Sequence, residues 1–348
     1  MSDKMRTHTD GRNTILQQDL TIKENPPGSV LVIHLFMEEQ CSMPAKNTMF
    51  SAMERKYEDV DCITYSESMA GFAIKKYVSR FKDANVSPQL MITDCMSAED
   101  FTIDDIAMSQ MWDCPDSKEI FSKCRYRVCA MDMLTAGMEY KEKARLIVDF
   151  VDVLLELYPE CKAVYFENSG KMLSRKSIVN SQMPPDRRFI YYAVNVRYFN
   201  ILGGNSMLID SLGMSTLFLP DVQFHFHGMD PNPVFSYAYN LLSYIYDTNC
   251  PIESGDKIDG IKEGKISPDV QWECRYEDAL VQPVRLVLDV HMGEDASGTR
   301  ADCSGEKEAD RAGRPAFGFL AGSCTRPQGR DLSTYLDARN RCHVCVSS

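Results

Sequence analysis

Between residues 139 and 158 the chain sets Ile147, Val151, Leu154 and Tyr158 at helical spacing, with Arg145, Asp149, Asp152 and Glu156 at the same spacing on the other side. At 3.6 residues per turn this pattern folds as an amphipathic helix, one stripe buried and the other in water. The charges exclude a membrane span for this stretch. Extended, β-prone stretches near 125–133 and at 162–166 flank it. That order predicts a β-α-β unit with a parallel strand pair and a right-handed crossover.

The same reading extends along the chain. Residues 30–36, Val-Leu-Val-Ile-His-Leu-Phe, form a continuous apolar run that suits a strand buried on both faces. Pro44 opens a helix reaching Tyr57, and residues 61–65, 69–77 and 89–93 read as extended. Gly203-Gly204 between 189–202 and 206–210 signals a hairpin, because glycine tolerates positive φ. Asn232 reads as the cap of a second helix with Pro233 in its first turn, and Phe235, Tyr239, Leu242 and Tyr246 as its apolar stripe.

The expected fold class is α+β, a mixed sheet with helices packed mainly on one face, built as two units of the ferredoxin-like kind meeting near residue 120. The expected divisions are a polar leader over 1–28, an N-terminal unit over 29–120, a second unit over 121–295 and a loose tail over 296–348. The tail differs in composition: residues 1–295 hold 17 Lys and 13 Arg, whereas 296–348 hold 1 Lys and 7 Arg with many Gly and Ser. A segment with so few apolar residues does not bury enough surface to order itself. Such a shift is what an out-of-frame reading or a recently acquired extension would leave.

Composition narrows the function classes. With 44% of residues apolar the chain has material for a core. A net charge of −12 and no basic stripe argue against nucleic-acid binding. No run of about 18 apolar residues marks a membrane span. The 13 cysteines are scattered and odd in number, which fits reduced, buried thiols in the cytoplasm. No phosphate loop, dinucleotide fingerprint, His-Glu-x-x-His or nucleophile elbow is present.

The best chemical candidate is the stretch from Asp221 to Asp230, Asp-Val-Gln-Phe-His-Phe-His-Gly-Met-Asp. On a strand His225 and His227 share a face about 7 Å apart, from a rise of about 3.4 Å per residue. Two imidazoles so placed can share a divalent metal, with Asp221 or Asp230 as oxygen ligands. Equally, they are the outward polar positions of a half-buried strand whose Val222, Phe224 and Phe226 face inward. Cys342 and Cys345 have the spacing of half a zinc site, without a regular second pair. Cys95 would need a neighbouring base to act as a nucleophile, and no local pattern names one. The acidic pairs Glu38-Glu39 and Asp104-Asp105 read as solvated turns or helix starts.

One family resemblance follows from these residues. The run 210–223, Asp-Ser-Leu-Gly-Met-Ser-Thr-Leu-Phe-Leu-Pro-Asp-Val-Gln, is followed by Tyr239-Asn240-Leu241, Tyr244-Ile245 and Ser254-Gly255-Asp256. In order and spacing these resemble the bacterial domain of unknown function 4261 (DUF4261), over about residues 200–275. The stretch from Tyr165 to Gly170 also looks like its full-length members. The resemblance implies a bacterial cytosolic protein and brings no established activity or catalytic residue. The acidic, motif-poor and well-patterned body points to a non-catalytic binding or regulatory protein, an accessory or immunity-type factor among its forms, acting on an unknown protein partner without a cofactor. The rival is a metal-dependent hydrolase using His225 and His227.

Overall fold

The computed structural model describes residues 5–10, 13–18, 24–25, 28–201, 204–297 and 319–321. The chain divides into two compact units. Unit I comprises Gly28–Val194 with Ser215–Phe218, and unit II comprises Met1–Pro27, Asn195–Met214 and Leu219–Ser348. Unit I is thus inserted in the sequence of unit II, and the division expected near residue 120 falls inside unit I. Contacts among strands far apart in sequence define the units, and local patterning does not reveal those.

Within the stretch expected as a polar leader, β1 (Met5–Asp10) and β2 (Asn13–Gln18) form an antiparallel hairpin of unit II. Unit I then runs through β3 (Val32–Met37), α1 (Lys46–Tyr57), β4 (Val60–Tyr65), β5 (Met69–Ile74) and the short ladder of β6 (Ser79–Arg80) and β7 (Asn85–Val86). It continues with β8 (Gln89–Ser97), α2 (Asp105–Ser109), α3 (Ser117–Lys123), β9 (Tyr126–Met133) and α4 (Tyr140–Leu157). It ends with β10 (Ala163–Phe166), β11 (Lys171–Ser174), α5 (Arg175–Val179) and α6 (Arg188–Ala193).

The sheet of unit I has the order β11-β10-β3-β9-β8-β5-β4, and every neighbouring pair is antiparallel. The strands before and after α4 therefore do not pair as predicted. β9 and β10 both lie antiparallel to β3, which is inserted between them. They run in the same direction but are separated, a split β-α-β arrangement. The apolar run of β3 is the reason. Ile33, Leu35, His34 and Phe36 are all buried, so this strand belongs in the sheet centre.

The amphipathic helix forms as its pattern requires. Ile147, Val151, Leu154 and Tyr158 are buried, and Arg145 and Glu156 are exposed. Glu139 caps it, its carboxylate accepting from the Lys141 and Glu142 N–H groups. α1 lies beside it, with Lys56 reaching Asp152 at 2.8 Å and Tyr57 Oη donating to Leu146 O at 2.8 Å. Met108, Met111, Cys114 and Cys124 pack with Phe36, Tyr165 and Met172 in one apolar cluster.

Unit II resumes with β12 (Asn195–Ile201), β13 (Ser206–Leu212), β14 (Asp221–His227) and α7 (Pro231–Thr248). β15 (Lys257–Lys262), β16 (Lys265–Asp278), β17 (Leu286–His291) and β18 (Phe319–Ala321) complete it. The sheet order is β1-β2-β18-β12-β13-β14-β17-β16-β15, and only β14 and β17 pair in parallel. The expected mixed sheet is this one. β12 and β13 form the expected hairpin, although Leu202 and Gly203 lie outside the described residues.

The cap of α7 lies two residues before the expected one. Asp230 accepts from the Asn232 N–H at 3.0 Å, and Pro231 occupies the first turn. The helix buries Val234, Tyr237, Ala238, Leu241 and Ile245. Tyr237 meets Phe224 and Trp272 edge-on, with ring centroids 5.9 and 5.2 Å apart. α7 therefore covers the apolar face of this sheet. Of the expected loose tail, 298–318 and 322–348 lie outside the described residues, whereas 319–321 pair as β18 between β2 and β12. Strand pairing uses backbone groups and asks little of composition. No helix of the described residues is long and apolar enough to cross a membrane.

Candidate functional site

Alternation along β14 sends Val222, Phe224 and Phe226 towards α7 and Asp221, Gln223 and His225 to the opposite face of the unit II sheet. That second face is polar yet not in water. Asp210, Asp221, Gln223, His225 and Asp289 are at most 1% exposed. The loop from Ala279 to Arg285 and the segment Ala296–Ser297 pack near them: Leu280 N–H donates to Gln223 Oε1 at 2.8 Å, and Ser297 N–H to His225 O at 3.1 Å. A strand buried on both sides, one apolar and one polar, replaces the half-buried strand expected.

Part of this face is an ion network. Arg197 grips Asp210 with two bonds, Nε to Oδ1 at 2.9 Å and Nη2 to Oδ2 at 2.6 Å. Arg285 joins Asp210 to Asp221, through Nη2 to Asp210 Oδ2 at 2.9 Å and Nε to Asp221 Oδ2 at 3.1 Å. Asp221 Oδ1 also accepts from Ser211 Oγ at 2.9 Å and Met214 N–H at 3.2 Å. Two guanidinium and two carboxylate groups balance in charge, and the two carboxylates raise the Arg285 pKa against its burial. Every oxygen of Asp221 is thus committed. It is a scaffold residue.

The rest of the face converges on His225. Its Nδ1 lies 3.0 Å from Ser297 O, so Nδ1 carries the proton and donates. The other nitrogen, Nε2, points at Asp289 Oδ1 across 3.4 Å, with both side chains fully buried. Gln223 Nε2 donates to the same Oδ1 at 3.0 Å, while Asp289 Oδ2 is buried without a hydrogen bond. Glu277, half-buried on β16, completes the group: one ligand-capable atom from each of His225, Glu277 and Asp289 lies within 4.8 Å of the others.

Of the metal candidates read from sequence, the structure brings only His225 into this cluster. Asp221 is taken by Arg285, His227 is exposed at the strand end, and Asp230 caps α7. Glu277 and Asp289 were missed. Asp289 left a signal, a carboxylate in the middle of the apolar strand Leu-Val-Leu-Asp-Val-His. Glu277 left none, because its convergence depends on the pairing of β16 with β17. Cys342 and Cys345 lie outside the described residues. Asp104 caps α2 through the Ala107 N–H, one of the expected helix starts.

Unit I holds its own buried polar groups. His34 Nδ1 accepts from Arg127 Nη1 at 3.1 Å, since a guanidinium only donates, and Nε2 donates to Glu167 Oε2 at 2.7 Å. Cys129 stands opposite His34 in the β3–β9 register, but both imidazole nitrogens are engaged and burial raises its thiol pKa. Lys143 pairs with Asp132 at 3.3 Å and Lys171 with Asp113 at 2.9 Å, each lysine nearly inaccessible. These are internal ion pairs with hydrogen-bonded partners, the form in which buried charge is tolerated.

Residues 210–291 match the model of a family described as a domain of unknown function, DUF4261. The match begins in β13 and runs through β17, so it takes in Asp221, His225, Glu277 and Asp289. No curated protein and no solved structure matches the chain.

Proposed function

We propose that residues 210–291, which match the DUF4261 family model, bind a divalent metal at His225, Asp289 and Glu277. One observation carries the reading. His225 Nε2 and Asp289 Oδ1 face each other at 3.4 Å with both side chains buried, while Nδ1 is the nitrogen that donates to Ser297 O. With Nδ1 donating to a carbonyl, Nε2 either donates to Asp289 as an imidazolium or, deprotonated, turns its lone pair to a cation shared with the carboxylates, and the second state is the metal-binding one. An imidazole whose far nitrogen donates to a backbone carbonyl is the arrangement that orients a metal ligand. One nitrogen and two carboxylates suit Zn²⁺, Mn²⁺ or Fe²⁺ better than soft metals.

The test uses the full chain, stripped with a chelator and reloaded with Zn²⁺ or Mn²⁺. The expected result is one equivalent bound by titration calorimetry and elemental analysis, lost in Asp289→Asn and in His225→Ala. Wild-type protein that takes up no metal, or a bound metal indifferent to Asp289→Asn, overturns the proposal.

A second reading is metal-assisted hydrolysis, and it rests on one asymmetry. Glu277 is half-buried whereas His225 and Asp289 are inaccessible, so water or substrate would approach from the Glu277 side. Metal-dependent cleavage of an activated phosphate ester that is lost in Asp289→Asn would support it. The regulatory, immunity-type reading draws on the net charge of −12, which favours a basic protein partner. A salt-sensitive, stoichiometric complex with such a partner would support that.

A further inference from the structure

Cys95, which the sequence left without a partner, has one in unit I. It sits on β8 just past a register shift against β9: Ile92 pairs with Ala130, but Cys95 pairs with Val128. Three residues on one strand span two on the other, so this is a β-bulge. The extra residue turns Cys95 to the face that Ile92 occupies, where Asp94 would otherwise stand. There it meets the segment that follows β3. Cys41 N–H donates to Cys95 Sγ at 3.4 Å, which brings the Cys95 sulfur against the Cys41 backbone. Cys41 is partly exposed and Cys95 is buried.

We infer that Cys41 and Cys95 form an oxidisable dithiol, a modification site for small-molecule disulfides of the glutathione class. The partly exposed Cys41 reacts first. Its thiolate attacks one sulfur of the disulfide RSSR, the RS–SR bond breaks, and one RS⁻ leaves to become RSH. Cys95 Sγ, held against the Cys41 backbone, then attacks Cys41 Sγ as its thiolate and expels the second RS⁻. Two cysteine sulfurs are oxidised, RSSR is reduced to two RSH, and the two thiol protons end on the products. The new bond ties the chain after β3 to β8.

Burial and the neighbouring Cys95 push the Cys41 thiol up to about 12, so the thiolate is scarce at neutral pH. The exchange rate should therefore rise about tenfold per pH unit from 7 to 9, following the thiolate fraction. The pair responds to sustained exposure more than to brief pulses.

The full chain is incubated with oxidised glutathione at pH 8.5 and digested without reduction for mass spectrometry. The expected product joins the peptides of Cys41 and Cys95 and is reversed by dithiothreitol. In Cys95→Ser a glutathione adduct is expected to accumulate at Cys41, because the resolving sulfur is gone. A stable adduct at Cys41 of the wild type, pairing of Cys41 with another cysteine, or reaction at Cys62 while Cys41 stays free would each overturn the inference. Cys62 is the internal control, being likewise half-buried.

Discussion

Gln223 and Asp289 stand opposite each other in the parallel register of β14 and β17, and Gln223 Nε2 donates to Asp289 Oδ1 at 3.0 Å. The same amide accepts the Leu280 N–H through Oε1 at 2.8 Å, so its orientation is fixed from both ends. Gln223 holds Oδ1, the same Asp289 oxygen that faces His225 Nε2, while Oδ2 is buried without a hydrogen bond. Gln223 is a positioning residue for the proposed metal. Gln223→Ala is expected to weaken metal binding about 10- to 100-fold without abolishing it. His227→Ala, at an exposed position, is expected to leave affinity unchanged. Calorimetric titration of the two variants side by side reads both.

Arg285 binds two inaccessible carboxylates at once, those of Asp210 and Asp221. Arg285→Met fills similar volume but leaves Asp221 without a guanidinium partner and Asp210 with Arg197 alone. Breaking such a buried pair costs about 3–5 kcal/mol. Chemical denaturation should show that loss, and a variant within about 1 kcal/mol of wild type would mean the network is hydrated rather than buried.

Glu167 accepts a proton-bearing nitrogen of His34, and that bond holds its carboxyl below the ordinary value of 4.5. The folded state therefore binds its proton less readily than the unfolded chain. The resulting stability is present above the ordinary glutamate range and is lost as pH falls through the lower folded value. Glu167 is half-exposed, so the contribution stays below about 1 kcal/mol. Urea unfolding between pH 3 and 6 should show a wild-type stability that falls with acid more steeply than in Glu167→Gln. Parallel curves would refute the link.

Gly260 lies where β15 shifts register against β16, and a Cβ there would meet the Trp272 ring at 2.7 Å and Val270 Cγ1 at 2.7 Å. Trp272 is buried beneath Tyr237, so its ring has little room to yield. Gly260→Ala should destabilise by about 1–3 kcal/mol, the usual cost of overpacking. A shift in Trp272 fluorescence should accompany it, and unchanged thermal stability would show that β15 moves aside.

Much of the secondary structure could be read from residue order alone. The stripe of α4, the apolar run of β3 and the hairpin of β12 and β13 follow from periodicity and glycine placement, which act within a few residues. Where the strand order was misread, the missing cause was distant in sequence. β9 and β10 read as a pair because α4 joins them, yet β3 separates them. The cap of α7 is a local miss: Asn232 reads as the cap, yet Asp230, two residues earlier, supplies the acceptor.

The candidate site divides along the same line. Alternation in β14 sets His225 on the face opposite Val222, Phe224 and Phe226, where it is buried. Whether the face met water, and which carboxylates met His225, depended on β17 pairing in parallel beside β14 and on β16 pairing beside β17. Local sequence determined the helices, the strands and their two-sided character, because those follow from backbone geometry and the side chains within one turn. Tertiary structure alone decided that Asp221 would serve Arg285, that Asp289 and Glu277 would reach His225, and that Cys95 would touch Cys41. Strand order sets those distances, and strand order is chosen by the burial of the whole sheet rather than by any one segment.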